Sequence, residues 1–403
     1  MADTFLPWNG QAESDTAVIS AAGEPTASVI DCAAEEIRLP GSIQRHGFLL
    51  VLDELGDRII SASENAEEFL HAPLKLLLGA TLDVVLDREI LAAVRSLTGQ
   101  SDDPGLMVYL GAFRLKGELC SLVTHSVNGR RLLEFEKLDQ LVIPEIMNAV
   151  ITNFVGRLSK LETTLELCQA ITRQVRELTG FGRVLLYSFD EVGHGTVLSE
   201  ENDGSLPSYL DLRFPATDIP MQARELYVSN TIRIIPDALY QPARLLGSSR
   251  EISAELDLSA SVLRSVSPVH LEYMRNMGTM SSMSISILCE GKLWGLISAH
   301  HSQPRAVPYF VRSACDMLTK VVGTQLAAFR NAARLKSLVH FHTVQRSVLT
   351  QMAAASNYLN ALRRSLEDLR QITAASGAAV IFGEEIHCNG VAPGNAEILR
   401  LVD

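Results

Sequence analysis

A chain of 403 residues, 47% of them hydrophobic, is long enough for two or three domains with sizeable cores. A formal net charge of -12 leaves no electrostatic footprint for nucleic acid and reads as a solubility device. No apolar run is long enough to span a membrane, and Met1 to Gly10 lack the basic start of a secretory signal, so a cytoplasmic protein is expected.

Residues 1–25, rich in Ala, Ser, Glu, Asp and Gly, read as disordered. Phe48–Leu52 and Arg58–Ala62 read as strands around a turn at 53–57, followed by a helix carrying Ala66, Phe69 and Leu70. Strands return at Leu106–Leu115, Leu119–His125 and Arg131–Glu136, with Asn128-Gly129 as a hairpin signal. A second unit opens with a helix whose apolar residues run from Leu161 through Cys168 and Val175 to Leu178, capped by Gly180. Val184–Phe189, Thr196–Ser199, Thr231–Ile235, Met283–Leu288 and Leu293–His300 read as its strands. Strands mixed with helices, without regular βαβ crossovers, predict an α+β fold of the sensory type. From Tyr309 to Ser376 the chain has no proline and one glycine, Gly323, and keeps helical apolar spacing. This predicts one long helix packed on a partner, or else two or three consecutive core helices. A hairpin at 378–388 follows, and the stop at Asp403 reads as a truncation.

The six cysteines are scattered without a CxxC pair, which argues against zinc and against a disulfide framework. Cys120, Cys168, Cys289 and Cys315 fall on apolar faces or strand-like runs and read as packing residues, whereas Cys32 lies outside any amphipathic element. Asp218 sits in a stiff loop between Pro215 and Pro220, suited to hold a carbonyl and a carboxylate toward a ligand; alone, an ordinary turn explains it better. His270 starts a short helix and, alone, reads as a capping or core residue. His300 and His301 end a strand, so one faces inward and the other outward, which disfavours a metal site. Arg233 and Arg264 suit carboxylates by their planar forks, but singly they read as surface charge. Ser282 and Ser284 share one face of a strand. Phe214, Met221, Tyr227, Tyr273, Met274 and Met277 suit a large flat conjugated ligand, and equally any core. No dinucleotide fingerprint, GxSxG elbow, HExxH or kinase sequence is present.

Taken together, Cys32, Leu39-Pro-Gly-Ser-Ile-Gln-Arg-His-Gly47, Phe214-Pro-Ala-Thr-Asp-Ile-Pro220, Ser267-Pro-Val-His-Leu-Glu-Tyr-Met-Arg-Asn-Met-Gly278 and Leu293-Trp-Gly-Leu-Ile-Ser-Ala-His-His301 resemble the photosensory core of a bacteriophytochrome. The resemblance implies a PAS domain over 26–138, a GAF domain over 139–330, and a spine helix with the truncated start of a PHY domain over 331–403. It also implies that the N-terminal segment threads a GAF loop in a knot, an exception to the usual unknotted chain. The implied function is a red/far-red photoreceptor that binds biliverdin through a thioether at Cys32 and signals by Z/E photoisomerisation. Val269 stands where plant-type relatives carry their attachment cysteine, which leaves the role to Cys32.

By position, the carbonyl of Asp218, in the Asp218-Ile219-Pro220 loop, would meet the pyrrole N–H groups. His270 would bond the central pyrrole water and help keep the pigment cationic against desolvation. Tyr187, Phe214 and Tyr273 would surround ring D, with His300 at its carbonyl. Arg233 and Arg264 would hold the propionates, assisted by Tyr227, Ser267, Ser282 and Ser284. The implied partners are a second copy through the spine helix and an output module, often a histidine kinase, outside this chain; no enzyme activity, membrane or nucleic-acid partner is expected. A GAF-type small-molecule or dimerisation module without pigment is the alternative. The chain departs from the family at Arg45, usually proline, and at Thr217, usually serine, which touches tuning more than binding. The missing PHY tongue leads to the expectation of an incomplete or short-lived far-red state.

Overall fold

The computed structural model describes residues 36–96, 106–139, 144–216, 219, 221–247, 255–355, 357–373, 375–383 and 385–402. Cys32, Thr217, Asp218, Pro220 and the stretch 1–25 lie outside the described residues.

The first half holds strands β1 (Ser42–Ile43), β2 (Gly47–Leu52) and β3 (Ile59–Ser63), then helices α1 (Ala66–Leu70), α2 (Leu74–Leu77), α3 (Leu82–Val85) and α4 (Arg88–Arg95). The hairpin strands β4 (Val108–Leu115), β5 (Glu118–Val127) and β6 (Arg130–Lys137) complete it. Next come α5 (Pro144–Leu158), α6 (Thr164–Thr179), β7 (Arg183–Phe189), β8 (Gly195–Asn202), β9 (Arg213–Phe214), α7 (Met221–Ser229), β10 (Ile232–Ile235) and β11 (Ala243–Gly247). They are followed by α8 (Pro268–Asn276), β12 (Ser281–Cys289), β13 (Lys292–His301) and α9 (Tyr309–Ala354). Beyond α9 lie α10 (Tyr358–Arg364), α11 (Leu366–Ile372), the hairpin β14 (Gly377–Phe382) with β15 (Glu385–Gly390), and α12 (Asn395–Val402).

All six residues of β2 are buried because both faces of its sheet are covered, which is why Phe48–Leu52 is a continuous apolar run rather than an alternating one. Phe48, Leu50 and Leu52 pack under the short helices, with the Phe48 ring stacked 4.6 Å from Phe135. Leu49 and Val51 face the other way, onto Ala243, Leu245, Leu256, Leu258 and Leu263 from the second domain. The sheet order is β1-β11-β3-β2-β6-β5-β4, so a strand from the second domain is inserted into the first domain's sheet.

That insertion belongs to the knot. Leu245 N–H donates to the Gly41 carbonyl at 2.9 Å on one side of the N-terminal segment. On the other side, Leu258 N–H donates to Arg38, Gln44 N–H to Leu263 and Ser265 N–H to Ser42. Buried Gln44 ties the crossing further, its Nε2 donating to the carbonyls of Ile234 (2.9 Å) and Arg264 (3.2 Å). Glu134, wholly buried on β6, accepts from Ser261 Oγ at 2.7 Å and Leu263 N–H at 2.9 Å, fixing the second arm of the loop to the first domain.

The second sheet runs β10-β12-β13-β7-β8-β9 and is antiparallel throughout. One face is apolar: Val184, Leu186, Met283, Ile285, Ile287, Ile297 and Ala299 pack on Leu167, Cys168, Ile171 and Val175 of α6 and on Cys315, Leu318 and Val322 of α9. Leu161 lies before α6 rather than in it, because Thr163 and Glu166 form a capping box that starts the helix at Thr164. Gly180 closes that helix in the left-handed region, φ 65°.

The long periodic stretch resolves as one 46-residue helix, α9, and two seven-residue helices. It breaks at Ala355, which is extended, and Asn357 caps α10 by accepting from Leu359 N–H. The two domains meet at the start of α9. Arg312 and Glu136 form a buried ion pair, His46 Nε2 lies 3.1 Å from the same carboxylate, and Tyr109 stacks 5.6 Å from Tyr309. Arg45, in place of the family's proline, bonds Glu68 at 3.0 Å and Glu64 at 3.2 Å, so this departure is absorbed by surface ion pairs.

Candidate functional site

Strand alternation sends a second set of side chains to the face opposite the apolar core. Cross-strand partners share a face, and the register places Arg233 opposite Ser284, Ser284 opposite Ser298, Ser282 opposite His300, and His300 opposite Arg183. Tyr187 lies on this face two positions after Leu185, itself paired with Ser298. An antiparallel sheet with one polar face ordinarily turns that face to water. Here it is roofed: Arg183 is wholly buried and His300 is 9% exposed.

Around that face stand α8 with His270 and Tyr273, α7 with Tyr227, and the segment 207–214. Arg183 is gripped by that segment, its Nη1 donating to the Pro207 carbonyl at 2.5 Å and its guanidinium lying 4.0 Å over the Tyr209 ring. Phe214 meets the other side of this cluster, edge to face with Tyr209 at 5.7 Å. His194 Nδ1 accepts from Ala216 N–H at 3.0 Å and so anchors the chain at Ala216. Gly195 faces the Tyr187 ring, where a Cβ would stand 2.9 Å from the ring edge. Ile219 is half-buried, and Val269 is half-buried in the first turn of α8.

The electrostatics are cationic. Arg233 on β10 has its Nη2 shut off from solvent with no hydrogen-bond partner, and its nearest aromatic neighbour is Tyr227, 5.7 Å from the guanidinium carbon. Among the described residues neither Arg183 nor Arg233 pairs with a carboxylate. Ser267 Oγ, at the N-cap of α8, is likewise buried and unsatisfied. Burial, with Arg233 second, lowers the His270 imidazole to about 4. Burial, then Arg183 and His270, lowers His300 to about 3. His270 as a whole residue is exposed on α8, so the lowering reflects how much protein surrounds the ring rather than full exclusion of water. Its ring lies 6.4 Å from that of Tyr273, which is 44% exposed.

The structure therefore brings Arg233, Ser282, Ser284, His300, Tyr187, His270, Tyr273, Tyr227 and Phe214 to one face and its roof. Arg264 is spent elsewhere: its Nη1 donates to the Ile37 carbonyl, inside the knot, and its Nε has no partner. His300 and His301 split as alternation requires, with His301 turned toward Phe181 at 6.4 Å. Three residues on the face escaped sequence reasoning: Arg183, Ser298 and the ring of Tyr209. The period-2 run Arg183, Leu185, Tyr187 and the run Ser298, His300 were the signal available for the first two. Among the described residues there is no cluster of His, Cys, Asp and Glu able to hold a metal ion, and no helix long and apolar enough to cross a membrane.

A PAS fold family model matches residues 32–138 and a GAF domain model matches residues 163–328. Cyanobacterial phytochrome B of Nostoc sp. is 36% identical over 378 residues, 93% of this chain and 50% of that protein. The bacteriophytochrome of Pseudomonas aeruginosa is 34% identical, over 88% of this chain and 48% of that protein. The chain thus spans about half the length of these curated relatives. Among solved structures, the photosensory core module of the Stigmatella aurantiaca phytochrome superposes with a TM-score of 0.79 at 38% identity, covering 92% of this chain and 75% of that one. The chromophore-binding domain of the Stigmatella aurantiaca bacteriophytochrome gives 0.68 at 42% identity, covering 74% of this chain and 99% of that one. With its threaded N-terminal segment, its two sheets and its roofed polar face, the chain belongs to the phytochrome family, as a PAS–GAF core.

Proposed function

We propose that this chain is the light-sensing module of a red/far-red photoreceptor, holding biliverdin covalently through Cys32 and signalling by Z/E isomerisation. The observation that carries the reading is Arg233, half-buried, with its Nη2 shut off from solvent and orphaned, on a sheet face shared with Ser282, Ser284 and His300. A guanidinium nitrogen shut off from water without a partner costs free energy, which an anionic group completing the site would recover. A planar fork fits a carboxylate in two parallel bonds, as a propionate would offer.

Bound biliverdin would supply the visible absorption and the double bond that isomerises. The residues of the chain hold and orient it. Arg233, with Tyr227 beside it, would take one propionate, and Ser267, Ser282 and Ser284 offer hydroxyls. Arg264 would join them only by leaving the Ile37 carbonyl. Tyr187, Phe214 and Tyr273 would flank ring D while leaving it room to turn, with His300 as donor to its carbonyl. The Asp218 carbonyl, in the loop with Ile219 and Pro220, and His270 would face the inner pyrroles. Val269 offers no thiol, which supports Cys32 as the attachment point, and the cytoplasm would keep that thiol reduced.

We extend the proposal to a homodimer with an output module beyond this chain. Along α9, Leu335, Leu338 and Val339 are exposed at helical spacing in a stretch with no apolar cover. Enzyme activity would then reside in the output module. Mixing the purified chain with biliverdin tests the core of the reading. A covalent adduct that fluoresces with zinc and absorbs red light is expected, and absence of any adduct would count against it.

A further inference from the structure

We propose that Arg183 is a positioning residue that holds His300 as a neutral imidazole with its proton on Nε2. The consequence for a pigment rests on the reading above; the tautomer itself is a property of the unliganded protein.

The argument starts from the register. Arg183 opens β7 directly opposite His300 on β13, so both side chains leave the sheet on the same face. Its guanidinium is fixed in two ways, by the Pro207 carbonyl at Nη1 and by the Tyr209 ring beneath it. The Nη2 then lies 2.9 Å from His300 Nδ1. A guanidinium carries only donors and stays charged. Nδ1 must therefore present its lone pair, and the ring proton of the neutral imidazole sits on Nε2. That nitrogen lies 2.9 Å from Ser298 Oγ, which accepts.

A second proton on the ring would set an imidazolium N–H against a guanidinium N–H at 2.9 Å. The other charged and titratable groups on the same side are Arg233 on β10, His270 on α8 and Glu200 on β8, with the phenols of Tyr187, Tyr209 and Tyr273. Glu200, opposite Leu185, is the one anion among the described residues there, and its carboxylate is taken up by Ser208 Oγ and the N–H groups of Tyr209 and Leu210 rather than by His300. Burial, Arg183 and His270 all lower His300, in keeping with the geometry. His300 is thus built to donate a hydrogen bond across the polar face, toward Ser298 or a ligand carbonyl, and not to release a proton near neutral pH. Any proton lost or gained by a pigment here would have to move through another group.

The test uses the full 403-residue chain without pigment, labelled with ¹⁵N-histidine, with His300 assigned by difference from His300→Gln. The expected native result is a single Nε2–H tautomer from pH 8 to 5.5, with less than about 1% of the ring protonated at pH 6. In Arg183→Met the Nδ1–H tautomer should rise to more than about one in ten, because nothing then requires a lone pair at Nδ1. Arg183→Lys, which keeps one charged donor, should restore the Nε2–H form. A native His300 protonated on Nδ1 or titrating above pH 5.5 overturns the proposal, as does a folded Arg183→Met protein that keeps the single tautomer. If Arg183→Met does not fold, the native spectrum decides alone. Failure here leaves pigment binding untouched, and failure to take up biliverdin leaves this result standing.

Discussion

Removing Arg312 while leaving Glu136 in place is expected to cost about 3–5 kcal/mol, because it strands a carboxylate in a buried interface. Arg312 is 1% exposed and Glu136 4% exposed, and the remaining partner of the carboxylate, His46 at 3.1 Å, is a weaker one. Glu136→Leu alone strands the guanidinium and should cost a similar amount. Glu136→Leu with Arg312→Met replaces both charges by apolar side chains of similar reach. The double variant should lie within about 1–2 kcal/mol of the native chain, giving a coupling energy of about 3 kcal/mol or more. The loss of the Tyr309 contact, 5.3 Å from the Arg312 guanidinium, is common to the single and the double variant and cancels from the cycle. Acid supplies an independent sign. Burial works to raise the Glu136 carboxyl, and Arg312 with His46 outweigh it and hold the group below its ordinary 4.5. The pair therefore contributes stability that is complete above that value and is lost as pH falls through the depressed one. In Arg312→Met the carboxyl protonates more readily, so the gap between variant and native should narrow on acidification. Urea titration of the four chains by circular dichroism reads the cycle. Single losses that simply add in the double variant, leaving a coupling under about 0.5 kcal/mol, would refute the argument.

Gly323→Ala should destabilise, although alanine ordinarily gains about 1 kcal/mol over glycine inside a helix. A Cβ there would run into the Leu288 carbonyl of β12, and a raised melting temperature would show that α9 can move away. His270 and His300 have lowered folded values of about 4 and about 3. The stability they contribute is complete above their ordinary 6.5 and declines as pH falls toward those values, so the native chain should lose more between pH 6.5 and 4.5 than His300→Gln; equal slopes would contradict this. Arg233→Leu should stabilise the pigment-free chain by about 1 kcal/mol by removing a half-buried guanidinium whose Nη2 lacks a partner, while weakening biliverdin uptake roughly 10- to 100-fold. Loss of both stability and uptake would assign Arg233 to the scaffold instead, and unchanged uptake would remove it from the site.

The α+β class was legible because β2 carries a short continuous apolar run and β12 alternates with period two, both bounded by turn residues. The hairpin at Asn128-Gly129 and the cap at Gly180 were legible for local reasons. The insertion of β11 into the first domain's sheet was not. Its five residues, Ala-Arg-Leu-Leu-Gly, alternate only briefly, and their partners lie far away in sequence on β1 and β3. The helices α2 and α3 were missed because four-residue turns carry little periodicity. By contrast α4, eight residues with Ile90, Leu91 and Val94 on its buried side, and α5, with Pro144 at its first position, carried usable signals that went unread. At the site, motifs marked His270 and His300, and residue type with position marked Arg233, but the guanidinium of Arg183 emerged only once the register set it opposite His300. Arg264 shows the converse: its type suits a propionate, but the fold turns it to the Ile37 carbonyl.

The central claim is tested most directly by adding biliverdin to the native chain and to Cys32→Ser, and recording absorption before and after red light. The account expects a red-absorbing, zinc-fluorescent covalent adduct in the native chain that changes its spectrum on illumination. In Cys32→Ser it expects the covalent adduct to vanish while some noncovalent pigment remains. No adduct in the native chain, an equally covalent adduct in Cys32→Ser, or a bound pigment whose spectrum is indifferent to light would contradict it.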